Sequence, residues 1–354
     1  MERTLTAADL ELPPIYCPLE PAINPAATRV ERRAIAWIDE SGLWADARER
    51  ARIIGSRGTD FFARFAPGAD DDRLLATALW VYWGFAFDDG RCDTGHYSIR
   101  PAEFVPMAAR VQRALECPAP AARGDAYAVA LQDIGERFRR LATPVQFQRF
   151  VAAHRAWLTG VMWQVSYQAR RHMPDLEDYI TMRLHSAGGA PAYAMLEIAH
   201  GAEVPAAEMD APAVRALTEM AILTAALDND RHSFVRELDG GQNIYTVLLD
   251  QNGGDVRTAV RTAVRLRDRV FQRFLRLRER TRPGLGDAGR AYLDGLAYGI
   301  RGNAEWGQRT PRHLDADATG PGEPVGGPIV WAERPADSGD EPVPLPTIAW
   351  WWDL

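Results

Sequence analysis

Leu74-Leu-Ala-Thr-Ala-Leu-Trp-Val-Tyr-Trp-Gly-Phe-Ala-Phe87 is the longest apolar run of the chain, and Asp88-Asp89-Gly90-Arg91-Cys92-Asp93 follows it directly. The run is too short for a membrane span, which needs about 20 residues, and charges close both its ends at Arg73 and Asp88. It reads as a helix buried in a protein core. Outward from it, helical patterns recur near residues 28–48, 71–90, 101–116, 121–141, 145–171, 177–200, 211–238, 255–281 and 286–308. Pro, Gly and Asp break them, as in APGADD (66–71), CPAPAARGD (117–125) and RPGLGD (282–287). Alternating strand-like runs are scarce. No βαβ unit, glycine-rich phosphate loop or long repeat is evident. The expected fold class is all-α. Residues 1–26 read as a proline-rich extended arm and 27–314 as one helical domain. Residues 315–354, dense in Pro, Gly and Asp, read as a disordered tail. That tail ends in Trp350-Trp-Trp-Asp-Leu354. Its tryptophans would either tuck onto the domain or serve as a partner tag or active-site cover.

All 41 basic residues of the 354 are arginine, and lysine is absent. This excludes Schiff-base and pyridoxal chemistry and the phosphate-loop lysine of nucleotide hydrolases. The net charge of −7 argues against general nucleic-acid binding. Three scattered cysteines suit neither a disulfide framework nor a zinc site. The opening MERTLTAADLELPP has no apolar core of the signal-peptide kind. A cytoplasmic protein with no membrane association is expected. Ten arginines crowd residues 257–282, but Val260, Val264, Val270, Phe271, Phe274 and Leu277 run beside them at near-helical spacing. That stretch reads as an amphipathic helix with a solvated basic face. His185, His200 and His232 show no metal spacing, and His232 is read as structural or solvent-facing.

Two polar clusters carry the chemistry. On a helix Asp89 and Asp93, four apart, share a face, and Asp88 adjoins them. Carboxylates so close repel and raise one another's pKa, and a hard divalent cation such as Mg²⁺ relieves this. In Asn229-Asp-Arg-His-Ser-Phe-Val-Arg-Glu237, the residues Asn229, Ser233 and Glu237 fall at i, i+4 and i+8. They drift by only about 80° over two turns, so an amide, a hydroxyl and a carboxylate line one stripe. This all-oxygen set suits Mg²⁺ whose other ligands are phosphate and water.

Together the two clusters resemble the class I terpene synthases of bacteria. Asp88, Asp89 and Asp93 match that family's aspartate-rich motif, and Asn229, Ser233 and Glu237 match its second metal-binding triad. Arg183 matches the diphosphate-sensing arginine, Arg236 the basic residue that contacts diphosphate, Trp306 the family's tryptophan, and Arg312 the arginine of its arginine–tyrosine pair. His313 stands where the family usually has tyrosine. Ser186 and Ala187 replace the usual acidic linker and glycine effector, and Ala187 still offers the backbone carbonyl.

The resemblance implies a single-domain α-helical bundle around a central apolar cavity. It further implies three Mg²⁺ ions that trigger departure of diphosphate from a linear isoprenyl chain. Arg183, Asn229, Arg236, Arg312 and His313 would bind the diphosphate. Gly84, Phe85, Phe87 and Trp306 would line the pocket. Farnesyl diphosphate is the first expected substrate. Geranylgeranyl diphosphate follows closely, because Gly84 and Ala86 leave room, and Ile15-Tyr16-Cys17-Pro18 resembles the branch that uses a methylated geranyl chain. A chain-elongating prenyltransferase would need a second aspartate-rich motif and lysines. A non-catalytic helical scaffold would not need both ligand sets intact. Homodimers are common in the family.

Overall fold

The computed structural model describes residues 12–118, 124–237, 241–313 and 330–354, apart from the side chains of Val235, Arg236 and His313. Its first elements are strand β1 (Ile15–Tyr16) and helices α1 (Ala27–Ser41), α2 (Ala47–Gly55), α3 (Gly58–Phe65) and α4 (Asp71–Phe87). Helices α5 (Pro101–Glu116), α6 (Ala126–Leu141), α7 (Pro144–Arg170), α8 (Leu176–Ser186) and α9 (Gly189–His200) follow. Next come α10 (Ala206–Met209), α11 (Pro212–Glu237), α12 (Ile244–Gln251), α13 (Val256–Thr281) and α14 (Asp287–Gly307). Strand β2 (Trp331–Ala332) and helix α15 (Pro346–Ala349) close the chain. The all-α expectation holds. No helix among the described residues is long and apolar enough to cross a membrane.

Helix α4 is the hub. Asp70 caps it, accepting from the amides of Asp72 and Arg73 at 3.0 and 2.9 Å. Every residue from Leu74 to Gly84 is buried. A helix apolar on all sides must be enclosed by others, and α4 packs against α1, α3, α6 and α9. Helix α11 is the second hub, flanked by α13 and α14.

Three helix boundaries differ from expectation. The 28–48 pattern ends at Ser41, where Gly42 takes a left-handed φ of 70°, and the short helices α2 and α3 follow. The 177–200 pattern is two helices, because Gly188 (φ 73°) breaks it after Ala187. The break is held by Trp157, whose Nε1 donates to the Ser186 carbonyl at 3.1 Å. Helix α12, just past the second cluster, was not expected.

The expected disordered tail is corrected for residues 330–354, which are packed; residues 314–329 lie outside the described residues. β2 pairs in parallel with β1, Ile15 opposite Trp331 and Tyr16 opposite Ala332. The Arg301 guanidinium sits 3.8 Å from the centroid of the Trp331 ring. The solvated basic face expected of α13 is corrected by the same segment. Arg265 and Arg269 bind Asp337, Arg276 binds Asp340, and Arg273 donates twice to the Trp351 carbonyl. The segment lacks a core of its own, but the arginine row supplies donors for its carbonyls and carboxylates. Trp351 is fully buried, with its Nε1 donating to Glu219 at 2.9 Å.

His154 is fully buried among the rings of Trp80, Trp83, Phe150 and Trp157, and Nδ1 lies 2.7 Å from the Gln112 amide oxygen. Burial pushes its pKa down to about 3. The unfolded chain therefore takes up a proton near pH 6.5 that the folded chain refuses until about pH 3. Stability is fully present above pH 6.5 and falls as pH drops through this window, by at most about 1.4 kcal/mol per pH unit for this group. Melting temperature measured from pH 7 to 4 should fall, and less steeply in His154→Gln; equal slopes would refute the assignment.

Candidate active site

The regular helix of α4 gives way at Asp88. Residues Asp88–Asp93 form a π-helical turn, in which the backbone repeats every five residues rather than four. This alters the expected pairing: Asp93 comes back beside Asp88, not only beside Asp89. Oxygens of Asp88, Asp89 and Asp93 all lie within 4.8 Å of one another. Burial, then the charge of Asp93, pushes the Asp88 carboxyl up to about 7, against the opposing pull of Arg312. Arg312 lies in a short helical turn after α14 and donates to Asp88 and Asp89, each at 2.8 Å. Its guanidinium carbon is 4.8 Å from the centroid of the Phe85 ring.

Asn229, Ser233 and Glu237 project from the last turns of α11 into the same cavity as the three aspartates. Ser233 donates to the Asn229 carbonyl at 3.0 Å. The Asn229 Oδ1 atom is buried and has no hydrogen-bond partner among the described residues. An orphaned acceptor of this kind is rare and calls for an explanation. A hard cation supplies one, and the donors on both sides are the oxygens that Mg²⁺ prefers. The residues present therefore fit a divalent metal.

Arg183 reaches the cavity from α8. Its Nη2 donates to Asp230 at 2.7 Å, and Asp230 also accepts from the Tyr179 hydroxyl and from the Ile244 amide at 3.1 Å. Burial disfavours the Arg183 charge, but Asp230 outweighs it and holds the guanidinium firmly protonated. A buried, fixed cation at the cavity edge is what a polyanion needs. Gly160 lets α7 approach α8 here: a Cβ at that position would fall 2.6 Å from the His185 Cβ and the Ser186 amide.

The cavity is about 410 Å³. Phe61, Phe65, Trp80, Phe85, Trp157 and Tyr193 supply aromatic walls. Small residues line it at Gly84, Ala187, Gly188, Gly189, Ala192, Ala225 and Ala226.

A family model described as terpene synthase family 2, C-terminal metal binding, matches residues 79–273. The spiroviolene synthase of Streptomyces violens is 54% identical over 354 residues, covering 99% of this chain and 98% of that one. The phomopsene synthase of Allokutzneria albata is 34% identical, covering 99% of each. Among solved structures, the SVS_A2 protein from ancestral sequence reconstruction superposes with a TM-score of 0.89 at 58% identity, covering 97% of this chain and 99% of that one. The chain belongs to the terpene synthase family. Its members are lyases that cyclise isoprenyl diphosphates.

Of the residues expected from sequence, this terpene synthase brings Asp88, Asp89, Asp93, Asn229, Ser233, Glu237, Arg183, Ala187, Arg312, Gly84 and Phe85 to one cavity. Two expected wall residues do not line it. Phe87 is fully buried, stacked on Trp83 at 5.0 Å and packed against Trp157. It is one helical step round from the cavity side of α4. Trp306 stands behind Phe85, stacked on it at 5.0 Å, and donates to the Ser56 carbonyl. The side chains of Arg236 and His313 lie outside the described residues. His232 packs against Gly307, away from the triad stripe, and burial pushes its pKa down to about 3. Sequence reading missed Asp230, which lies inside the second motif but off its stripe. It also missed Arg52 at the cavity edge, for which no local pattern existed.

Proposed function

We propose that this terpene synthase ionises a linear isoprenyl diphosphate in a Mg²⁺-dependent reaction and cyclises the resulting carbocation to a hydrocarbon. The observation that carries the reading is one cavity whose rim holds two oxygen ligand sets and three arginines, Arg52, Arg183 and Arg312, and whose interior is aromatic and small-residue apolar surface. Asp88, Asp89 and Asp93 on one side and Asn229, Ser233 and Glu237 on the other would hold three Mg²⁺ ions. Bound there, the metal would supply Lewis-acid charge to the leaving diphosphate. Arg183 and Arg312 grip diphosphate oxygens with forked, permanently charged donors. The allylic C–O bond breaks with its electron pair leaving on the diphosphate. The apolar interior excludes water, and the ring faces of Phe61, Phe85 and Trp80 each stabilise the cation by roughly 0.5–2 kcal/mol. Transfer of a proton from the final cation to the released diphosphate ends the sequence as an alkene. Ala187, at the break between α8 and α9, is proposed to present its backbone carbonyl to the substrate.

Geranylgeranyl diphosphate is the proposed substrate. Small lining residues such as Gly84, Ala192, Ala225 and Ala226 leave length for a fourth isoprene unit, and the 54% identity with a spiroviolene synthase supports a spirocyclic hydrocarbon as product. Farnesyl diphosphate is the second reading, since a cavity of about 410 Å³ also admits the shorter chain. Incubation of purified protein with Mg²⁺ and, separately, geranyl, farnesyl and geranylgeranyl diphosphate, with extracts read by gas chromatography–mass spectrometry, tests both. A cyclic C20 hydrocarbon is expected. A C15 product alone would select the second reading, and no product with no diphosphate released would overturn the activity.

A further inference from the structure

We infer that Asn243, outside both ligand motifs, is a positioning residue that sets the geometry of the Asn229–Ser233–Glu237 triad. The inference rests on the metal-binding reading proposed above. Asn243 is fully buried and stands at the start of α12. Its Oδ1 caps α12, accepting from the Tyr245 amide at 2.9 Å. Its Nδ2 points the other way, onto α11. There it donates to the Asp230 carbonyl at 2.7 Å and to Glu237 Oε2 at 2.8 Å, with Ser233 Oγ at 3.4 Å.

This orientation is the one the surroundings permit. Turning the amide over would place Oδ1 against a carbonyl and a carboxylate, neither of which can donate, and would strip the cap from α12. The NH₂ group has two hydrogens, and the two short contacts use them. One carboxylate oxygen of Glu237 is thus held by Asn243. Glu237 is also the last residue of α11, and its carbonyl accepts from the Gly241 amide at 3.0 Å. Asn243 adds a side-chain tie to Glu237 from outside the helix. A second tie runs in parallel, the Ile244 amide donating to Asp230, the residue that also binds Arg183. The start of α12 therefore braces both the triad and the arginine anchor. Partners that orient metal ligands typically contribute about ten- to a hundredfold to metal affinity.

The test is Asn243→Asp. It keeps the volume and the helix cap but replaces the donor with an oxygen facing Glu237 and the Asp230 carbonyl. The probe is Mg²⁺ titrated in the presence of inorganic diphosphate, read as the rise in melting temperature. The Mg²⁺ concentration giving half the effect is expected to increase roughly tenfold or more over wild type. If Asn243→Asp does not fold, Asn243→Ser, which keeps a hydroxyl cap but has no donor long enough to reach Glu237, is read in the same way. A variant that melts lower without ligand but keeps the wild-type Mg²⁺ half-point would reduce Asn243 to a helix cap and overturn the inference. A wild-type protein that itself shows no stabilisation by Mg²⁺ and diphosphate would instead overturn the metal reading on which the inference stands.

Discussion

Replacing Asp88 with asparagine is expected to lower turnover by roughly 10³-fold or more, the scale of losing a preorganised electrostatic group at the point of charge separation, without lowering stability. The two halves of this expectation have one cause. Asp88 sits in a crowded site where burial and Asp93 push its carboxyl up to about 7. A folded-state pKa above the unfolded value of 3.8 means that the folded protein prefers the protonated acid. Below about pH 4 the site costs nothing, and the cost grows as pH rises toward 7. The neutral asparagine removes that cost. Arg312 keeps Asp89 as a partner at 2.8 Å, so the opposite charge is not stranded. The melting temperature of Asp88→Asn at pH 7.5 should therefore equal or exceed that of wild type, while product formation from the isoprenyl diphosphate disappears. Wild-type turnover in this variant would refute the placement of Asp88 in the ionisation site. A variant that loses its helical circular dichroism would assign it a structural role instead. The Asp88 carboxylate is thus held in an arrangement that burial and Asp93 make unfavourable, as is common where function and stability compete.

The second large effect is expected far from the cavity. Trp351→Ala should destabilise the protein by about 3–5 kcal/mol, the usual cost of emptying a buried tryptophan site. For a chain of this size that corresponds to a fall in melting temperature of roughly 4–7 °C. Trp351 is wholly enclosed, its indole nitrogen held by Glu219 and its carbonyl gripped twice by Arg273. A second tie is close by: the Thr347 amide donates to Glu177 at 2.7 Å, on the helix that carries Arg183. Trp350 and Trp352 are only half-buried, so alanine there should cost markedly less. Equal melting temperatures for Trp351→Ala and Trp352→Ala would show that the C-terminal segment does not depend on this anchor.

The amino-acid sequence by itself determined the fold class, because helical periodicity and breaker residues are local signals that need no partner. It also determined most of the site. Asn229, Ser233 and Glu237 share a stripe through helix geometry alone, and Asp88, Asp89 and Asp93 are close because they are neighbours in the chain. The tertiary structure decided what depends on contact between distant segments. Phe85 and Phe87 stand about 200° apart on α4, and which of them meets the cavity is set by the neighbours that enclose the helix. Trp306 was assigned to the right region but stands one layer behind, because Phe85 covers it. Asp230 and Asn243 are ordinary polar residues in sequence, and their roles exist only where α8, α11 and α12 converge. The terminal segment has the composition of a disordered tail, and by composition alone it would be one. Residues 330–354 pack onto the domain because the arginines of α13, read in isolation as a solvated face, bind their carboxylates and carbonyls. Local propensity describes each of these two segments without the other, and their association is a property of the folded chain.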